Sequence, residues 1–569
     1  MINPAQSVYD IAGVCAAHEI ANIIISPGSR SAPLTLAFAR HPRLTCHVVV
    51  DERSAAFIGL GIAQQTNRPV ALVCTSGTAA LNYAPAVAEA FYQGIPLVVF
   101  TADRPPEWID QYDGQTIVQR NLYGANCLAY FELPVETRHP DARWQADRLV
   151  SEAIQLSQGP RRGPVHINVP LREPLYPSRE IQYSSEHQVV REDTAKRHLS
   201  EETWNHLVSS WQTHDRKLLV GGQMLPGRDG GAALNNFLPR NDVVLFADIT
   251  SNCLGTAAVR HFDMALGSDS ETFLANCVPD LLVTFGGPVV SKYLKLWLRK
   301  FKAREHWHLQ TGAPRRDPFQ SLTRVVDTAP ADFFDELNRR LPPKESVPDS
   351  GYRDHWQTLE AAMQEKKEAF LEQAPWSEIG AMQRILHVLP KQGILHLGNS
   401  IIVRLANFLS LHPDRACPIF SNRGTSGIDG TLSTAVGSAY STERMTTILL
   451  GDLAFFYDRN ALWQEHLPGN LRIILFNNYG GGIFRSLDGS RDLPELERYF
   501  EVTHKLSAKN LSLDHDVHYE FCDSMATLDL ALDTFFRPTG RPALLELGFD
   551  RFLNAETFLN FKAMLREIK

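Results

Sequence analysis

Residues 446–480 read TTILLGDLAFFYDRNALWQEHLPGNLRIILFNNYG and contain the pattern that decides the fold. An apolar run (TTILL) leads into Gly451, a helix-like stretch follows, and a second apolar run (RIILF) leads into Asn477 and Asn478. Short apolar runs separated by a helix are typical of parallel strands covered by helices. We therefore expect the polar residues after both runs to meet at the carboxyl edge of one sheet, where ligands collect in such folds.

Three oxygen donors follow these two strands. The Asp452 carboxylate, the Asn478 amide oxygen and the Gly480 carbonyl are ligands of the kind that Mg²⁺ prefers, and Mg²⁺ often completes its shell with phosphate oxygens and water. Backbone N–H groups that open the helix after Gly451 would face the same anion. An isolated Gly-Asp pair more often caps a helix, so the predicted metal site depends on the whole block.

The same alternation extends over the rest of the chain. HVVVD (47–51) predicts a strand, and AALNYAPAVAEAFYQ (79–93) predicts one helix. Polar, aperiodic segments at 177–200 and 341–354 read as linkers. The predicted fold class is α/β, with three doubly wound domains and mainly parallel sheets. The predicted domains are residues 1–180, 195–345 and 355–569.

The composition limits the possible functions. Of 569 residues, 44% are hydrophobic and 21% charged, and the formal net charge of −8 predicts no nucleic-acid-binding surface. Eight cysteines without a C-x-x-C pair predict reduced thiols in a cytoplasmic protein. No apolar run approaches the ~20 residues that a membrane helix needs, and the N-terminus has no signal-peptide pattern. We expect a soluble multidomain enzyme.

The block from Gly451 to Asn478 resembles the thiamin diphosphate signature, which begins with Gly-Asp and ends with Asn-Asn. This resemblance implies the thiamin-diphosphate enzyme family, with pyrimidine, central and diphosphate domains in chain order. It implies thiamin diphosphate as cofactor, held through Mg²⁺ or Mn²⁺ by Asp452, Asn478 and Gly480. The cofactor-binding residues it assigns here are Gly451, Asp452, Leu453, Ala454 and Ile483. Leu453 departs from the family pattern, in which many members carry Gly.

The N-terminal region carries a second part of the resemblance. Glu52 stands at the place of the family's glutamate, which bonds the pyrimidine nitrogen N1′; by itself it would be a surface charge in a helix's first turn. Thr75, Ser76, Gly77 and Thr78 resemble the loop that lines the pyrimidine pocket. Ile428 in SNRGTSGIDG matches the bulky aliphatic residue that holds the cofactor bent. The family builds each site across two subunits, which implies a homodimer or a homotetramer.

Arginines after several strand-like runs suggest the substrates. Arginine binds carboxylates bidentately, so a cleft with several guanidinium groups suits substrates with several carboxylates. Singly, each arginine would more often be a surface or ion-pair residue. Together, SPGSRSAP (26–33), TADRPPE (101–107), GNSIIVR (398–404) and SNRGTSGIDG (421–430) resemble one branch of the family. That branch decarboxylates 2-oxoglutarate and adds the succinyl-semialdehyde carbanion to isochorismate in menaquinone and phylloquinone biosynthesis.

This branch implies a role for each matching residue. The isochorismate contacts are Ser29, Arg30, Arg104 and Gln115, and the 2-oxoglutarate contacts are Arg404 and Arg423. Ser400 would lie near one of the two anions, and Lys292 of the central region would be a further substrate contact. The motifs contain no histidine, so proton transfer falls to Glu52 and Gln115 with the cofactor. Gly114 replaces a common Asn, and Tyr293 replaces one member of a basic pair.

Two alternatives stay open at this point. An acetolactate synthase-like carboligase, or another 2-oxoacid decarboxylase, would share the scaffold but would not need Arg30, Arg104, Arg404 and Arg423 together. A non-catalytic nucleotide- or thiamin-binding regulator would be expected to lose Glu52 or the metal ligands, and the sequence keeps both.

Overall fold

The computed structural model describes most of the chain: residues 6–136, 138–176, 183, 187–193, 198–228, 230–240, 242–255, 257–312, 314–343, 350–415, 417–487 and 489–568. Most of the predicted linker at 177–200 and part of the one at 341–354 lie outside these residues.

The α-helices have the following bounds: α1 Gln6–Ala17, α2 Ala32–Ala39, α3 Glu52–Thr66, α4 Thr78–Asn82, α5 Ala84–Gln93, α6 Pro140–Gln158, α7 Glu201–Thr213, α8 Gly231–Phe237, α9 Phe262–Ala265, α10 Glu271–Asn276, α11 Lys292–Lys300, α12 Pro330–Arg340, α13 Tyr352–Gln373, α14 Glu378–Val388, α15 Ile401–Leu409, α16 Thr431–Tyr440, α17 Asp452–Tyr457, α18 Lys509–Asp514, α19 Met525–Phe535 and α20 Arg551–Arg566. The strands have the following bounds: β1 Asn22–Ile25, β2 Thr45–Val48, β3 Val70–Cys74, β4 Leu97–Asp103, β5 Tyr130–Glu132, β6 Val165–Pro170, β7 Lys217–Gly221, β8 Val244–Ala247, β9 Leu281–Phe285, β10 Glu305–Gln310, β11 Arg324–Asp327, β12 Ile394–Leu397, β13 Ile419–Phe420, β14 Thr446–Gly451, β15 Leu471–Asn477, β16 His518–Cys522 and β17 Ala543–Gly548.

Three sheets organise these elements. Their strand orders are β2-β1-β3-β4-β6-β5, β11-β10-β9-β7-β8 and β13-β12-β14-β15-β17-β16. Every strand pair whose register is described is parallel, for example β3 with β4 and β15 with β17. Central strands such as β3, β9 and β15 are buried along their whole length, which explains why they read as unbroken apolar runs. The predicted α/β class with parallel sheets is confirmed.

Two local predictions are wrong. The strand predicted at 47–51 is β2, Thr45–Val48, because its only neighbour β1 ends at Ile25 where the turn begins. The single helix predicted at 79–93 is two helices, α4 and α5, which meet at Tyr83. Pro85 lies in the first turn of α5, where a proline fits a helix start but not a helix interior.

The described chain forms two compact units that do not follow chain order. Unit 1 takes its residues from 1–195, 422–443 and 456–471, and unit 2 takes its residues from 196–421, 444–455 and 472–569. The three domains drawn from the sequence stay a prediction.

Within unit 1, α3 and α16 pack at very close range. A Cβ atom on Gly61 of α3 would lie 2.0 Å from the Thr434 carbonyl oxygen, and one on Gly437 of α16 would lie 2.0 Å from the Ile58 carbonyl oxygen. Only glycine fits at both crossing points. This contact fixes the position of α3, whose first residue is Glu52.

Two further expectations can be compared with the fold. The eight cysteines are thiols and not disulfides, and five of them are buried. Within the described residues, no helix combines the length and the apolar character needed to cross a membrane.

Candidate active site

In unit 2, the loops after β14 and β15 meet, as parallel neighbours in one sheet require. Asp452 is buried, and its Oδ2 accepts a hydrogen bond of 2.8 Å from the Gly480 N–H. Its Oδ1 accepts from the Leu453 N–H at 2.7 Å. His504 Nε2 lies 3.2 Å from Asp452 Oδ2. Two of the three residues predicted to bind the metal are therefore in direct contact, through the Gly480 N–H and not through its carbonyl.

The adjacent asparagines have different surroundings. Asn477 donates through Nδ2 to Glu546 at 2.7 Å and to the Leu506 carbonyl at 2.9 Å, and its Oδ1 accepts from the Tyr479 N–H at 3.1 Å. Its amide is fully used in holding the loop. Asn478 donates through Nδ2 to Glu378 Oε1 at 2.7 Å, but no described residue donates to its buried Oδ1.

An unpartnered buried oxygen is costly unless a ligand or ion uses it. Asn478 Oδ1 therefore fits the role of a metal ligand. Among the described residues, no group of three or more His, Cys, Asp or Glu side chains is placed to hold a metal ion. The predicted ligands are of another kind: one carboxylate, one amide oxygen and one carbonyl.

Glu378 is a residue of this site that the motifs did not reveal. It is the first residue of α14, and it is 3% exposed. Burial, and to a smaller extent the charge of Asp452, raises the pKa of its carboxyl to about 7. The two buried carboxyl groups of Glu378 and Asp452 thus lie close enough for the charge of one to act on the other.

A cavity of about 410 Å³ opens beside Asn478 in unit 2. Its lining includes His504, Lys505 and Arg551, three side chains that can carry positive charge. None of the three belongs to a motif from which the site was predicted. His504 lies far along the chain from the motif, and only the fold places it against Asp452.

In unit 1, Glu52 stands at the N-terminus of α3. The preceding residue, Asp51, caps the helix by accepting from the Arg53 N–H at 2.9 Å, and it also accepts from Asn460 at 2.7 Å. Burial raises the pKa of the Cys74 thiol, and the charge of Glu52 raises it further. Glu52 therefore lies within electrostatic reach of the end of β3, where the predicted pyrimidine loop begins.

That loop is built on close backbone packing. A Cβ atom on Gly28 would lie 2.3 Å from the Thr75 Cβ, so the turn that carries Ser29 and Arg30 sits directly on Thr75. Gly77 has φ +84°, and its N–H donates to Gln119 Oε1 at 2.8 Å. A Cβ atom on Gly77 would lie 3.2 Å from the carbonyl oxygen of Gln115.

Two hydroxyls of the predicted pyrimidine loop, like Asn478 Oδ1, are buried without a hydrogen bond to a described residue. Thr75 Oγ1 and Ser76 Oγ are buried, and no described residue forms a hydrogen bond with either. Thr78 begins α4. Gln119, which the motifs also missed, fixes the segment that follows Gln115 through further bonds to the Ala102 carbonyl and Asn168.

Two predicted substrate arginines lie together in unit 1. Arg30 is buried and donates to the Leu171 carbonyl at 3.0 Å, and its pKa is lowered by burial and by the positive charge of Arg104. Arg104 pairs through Nε with Asp113 at 2.5 Å and donates to the Gly114 carbonyl at 2.6 Å. The backbone oxygen of Gly114 thus helps to hold the Arg104 side chain in place.

The loop of Arg423 and Ile428 also belongs to unit 1. Its neighbours Gly424 and Thr425 donate their N–H groups to the buried carboxylate of Glu89, each at 2.7 Å. Arg423 is buried, whereas Ile428 is 38% exposed. Ile428 is therefore not a core residue, which leaves its apolar side chain available for a ligand.

The other predicted residues lie in unit 2. Ser400 stands at the N-cap position of α15 with φ +69°, a conformation that is strained for serine, and its carbonyl accepts a hydrogen bond from Arg404. Lys292 is exposed at the start of α11, where the Ser291 side chain caps the helix. Tyr293 is half-buried, with its ring 6.3 Å from that of Phe408. Ile483 lies in the short 3₁₀ helix Gly482–Ser486.

Comparisons with known proteins show which families the chain is similar to. Residues 8–122 match the family described as thiamine pyrophosphate enzyme, N-terminal TPP binding domain, and residues 181–397 match the middle domain of thiamine pyrophosphate enzymes. The chain is similar to 2-succinyl-5-enolpyruvyl-6-hydroxy-3-cyclohexene-1-carboxylate synthases from several bacteria. The protein from Cytophaga hutchinsonii is 40% identical over 99% of both chains. Those from Christiangramia forsetii and Bacteroides fragilis are 38% and 34% identical, over 97% and 100% of both chains.

Proposed function

This chain belongs to the 2-succinyl-5-enolpyruvyl-6-hydroxy-3-cyclohexene-1-carboxylate synthase family of thiamine pyrophosphate enzymes, and from that membership we propose its reaction and the roles of its residues. The enzyme removes CO₂ from 2-oxoglutarate and adds the remaining four-carbon unit to isochorismate by 1,4-addition. The observation that carries this proposal is the similarity to these synthases over nearly the whole chain. The pathway is menaquinone or phylloquinone biosynthesis.

Asp452, Asn478 and Gly480 would hold a Mg²⁺ or Mn²⁺ ion that binds the diphosphate of the cofactor. The unpartnered Asn478 Oδ1 supports this role, as does the contact between Asp452 and Gly480. Thiamin diphosphate, when bound, supplies the nucleophilic carbon that takes up the 2-oxoacid and lets its carboxyl group leave as CO₂. Gly451, Leu453, Ala454 and Ile483 would line the diphosphate side of the site.

Glu52 would bond the pyrimidine N1′ through its carboxylate and hold the proton that moves in each cycle. Its place at the capped start of α3 supports this role, because the helix fixes the direction of the side chain. Thr75, Ser76, Gly77 and Thr78 would line the pyrimidine pocket, and Ile428 would support the cofactor from its apolar side. The unused hydroxyls of Thr75 and Ser76 support a polar ligand there.

The arginines would bind the carboxylates of the two substrates. Arg30 and Arg104, whose charges already act on each other, would hold isochorismate with Ser29 and Gln115. Arg404 and Arg423 would bind 2-oxoglutarate, Ser400 would lie near one of the two anions, and Lys292 would be a further substrate contact. In the structure each guanidinium also pairs with a carboxylate, Arg30 with Glu173 and Arg104 with Asp113, so a substrate carboxylate would take the place of one of these partners.

Each site would be completed by two subunits of a homodimer or homotetramer, as the family resemblance implies. The predicted cytoplasmic location stays a prediction.

Product formation from the two substrates tests the proposed reaction. The purified protein, with thiamin diphosphate and Mg²⁺, is incubated with 2-oxoglutarate and isochorismate, and mass spectrometry follows the condensation product while CO₂ release is measured. We expect one CO₂ for each product molecule. A carboligase for small 2-oxoacids would instead release CO₂ from pyruvate, and a non-catalytic binding protein would bind thiamin diphosphate without turnover in any of these mixtures.

A further inference from the structure

Glu378 makes a contact that decides how the Asn478 amide is oriented. Its Oε1 accepts from Asn478 Nδ2 at 2.7 Å, and both side chains are buried. A side-chain amide has a donor end and an acceptor end, so a bond that fixes the donor end also fixes where the acceptor end points. Turning the amide over would place its oxygen against a carboxyl oxygen and leave its N–H₂ group without this acceptor.

Gly482 restricts the same amide from another side. A Cβ atom on Gly482 would lie 2.7 Å from Asn478 Nδ2 and 3.2 Å from its Cγ, so the backbone of Gly482 packs directly on the amide. The side chain therefore has little room to move away from Glu378. The result is a single orientation in which the unpartnered Oδ1 faces away from the Glu378 carboxyl group.

Glu378 is itself held firmly in place. It opens α14, and its N–H donates to Asn554 Oδ1 at 2.8 Å. A carboxyl group in the first turn of a helix is also favoured by the helix dipole. A rigid helix start thus carries the acceptor on which the orientation of Asn478 depends.

We infer that Glu378 is a positioning residue, which holds the Asn478 amide with its oxygen directed to the metal ion. The inference rests on the metal site proposed above. Partners of this kind, one step removed from the ion, typically change metal affinity or activity by about 10- to 100-fold when they are replaced. What Glu378 contributes is its reach and its hydrogen-bond acceptor, so its negative charge is not required.

Two conservative variants separate reach from charge. Glu378→Gln keeps the length of the side chain and an acceptor oxygen but removes the charge, whereas Glu378→Asp keeps the charge and shortens the reach. The readout is Mn²⁺ affinity in the presence of thiamin diphosphate, measured from the electron paramagnetic resonance signal of free Mn²⁺. We expect Glu378→Asp to bind Mn²⁺ about tenfold or more weakly, and Glu378→Gln to stay within about threefold of the parent protein.

A third variant reaches the same amide without touching Glu378. Gly482→Ala places a methyl group against Asn478 Nδ2, so we expect it to weaken Mn²⁺ binding as well. Glu360→Asp is the matched control, because Glu360 is a largely buried glutamate of unit 2 that is bonded to His261 at 2.8 Å. Glu360→Asp should lower the melting temperature but leave Mn²⁺ affinity unchanged.

Three outcomes overturn the inference. If Glu378→Gln loses affinity while Glu378→Asp keeps it, charge and not orientation is what matters. If Glu378→Asp and Gly482→Ala both bind Mn²⁺ like the parent protein, the amide does not depend on these contacts. If Asn478→Leu also binds Mn²⁺ like the parent, the proposed metal site itself is wrong and the inference fails with it.

Discussion

At the scale of single residues, Asn477 and Asn478 show how two identical neighbours differ once the chain is folded. The amide of Asn477 is used at both ends within the protein, whereas Asn478 keeps one buried oxygen without a described donor. The sequence pattern names the pair but does not explain why it needs two asparagines. The contacts offer a reason: Asn477 holds the loop, and Asn478 keeps an oxygen for the proposed metal ion.

Replacing Glu52 by Gln should lower turnover by about 100-fold or more, because proton-transfer groups typically contribute at least that factor. Glutamine has nearly the same size as glutamate and can also be the first residue of α3, so the fold should be unaffected. Steady-state formation of the condensation product measures the effect. Glu152→Gln, an exposed glutamate of α6, is the control and should keep the parent rate. Turnover of Glu52→Gln within about threefold of the parent would show that the assigned role is wrong.

At the scale of secondary-structure elements, the contact between α3 and α16 makes a clear prediction. Gly437→Ala puts a Cβ atom 2.0 Å from a backbone oxygen of α3. The clash is with backbone and not with a flexible side chain, so one of the two helices would have to shift. We expect unfolding free energy to fall by about 1–3 kcal/mol. Alanine in a helix interior would otherwise add about 0.5–1 kcal/mol, so the sign of the change identifies the cause.

Chemical denaturation measures this effect, and Gly451→Ala provides the comparison. Nothing lies within 4 Å of a Cβ atom at Gly451, so that variant should unfold within about 0.5 kcal/mol of the parent protein. Equal stability of the Gly437→Ala variant and the parent would contradict the close packing of the two helices.

The start of α16 also carries a pH-dependent contact. Asp458 is fully buried and accepts from the Ser433 N–H at 2.7 Å and from its hydroxyl at 2.8 Å. Burial raises the pKa of Asp458 to about 7 from 3.8. Between these values the folded state binds more protons than the unfolded state, so the contribution of Asp458 to stability falls as the pH rises from about 4 to about 7.

Asp458→Asn should therefore remove part of this pH dependence. Relative to the variant, the parent protein should lose about 1 kcal/mol or more of unfolding free energy between about pH 5 and pH 7.5. Urea unfolding at several pH values gives both curves, and Asp141→Asn, at an exposed position of α6, serves as control. A stability difference between parent and Asp458→Asn that stays constant with pH would contradict the prediction.

The sequence predicted the elements better than the contacts between them. Buried parallel strands such as β9 and β15 are unbroken apolar runs, so their existence follows from local pattern. The end of β2 depends on the length of its neighbour β1, which no local pattern states. The sequence predicted those site residues that belong to a motif, but it did not predict Glu378, Gln119 or Glu89. Each acts on a residue distant in the chain, and only the fold brings the two together.

At the scale of the whole molecule, the proposed sharing of each site between subunits can be tested by mixing two inactive variants. Glu52→Gln and Asp452→Asn subunits are each expected to be inactive alone. If a site takes Glu52 from one subunit and Asp452 from its partner, a hybrid dimer contains one intact site. Random exchange of subunits makes half of the dimers hybrid, so the mixture should recover about a quarter of the parent activity.

The two variants are mixed, unfolded and refolded together, and turnover of the refolded mixture is then measured. The control is the same treatment of each variant by itself, which should give no recovery. If the mixture stays inactive although hybrid dimers are present, Glu52 and Asp452 serve the same site from one subunit.

The discontinuous make-up of unit 1 matters for anyone who recombines genes of this family. Residues 422–443 and 456–471 fold with the N-terminal part of the chain, and α16 among them fits α3 through paired glycines. A chimera with a single crossover near residue 195 would join an α3 from one parent to an α16 from the other. Breakpoints should be chosen so that residues 1–195, 422–443 and 456–471 all come from the same parent, although these segments are far apart in the gene.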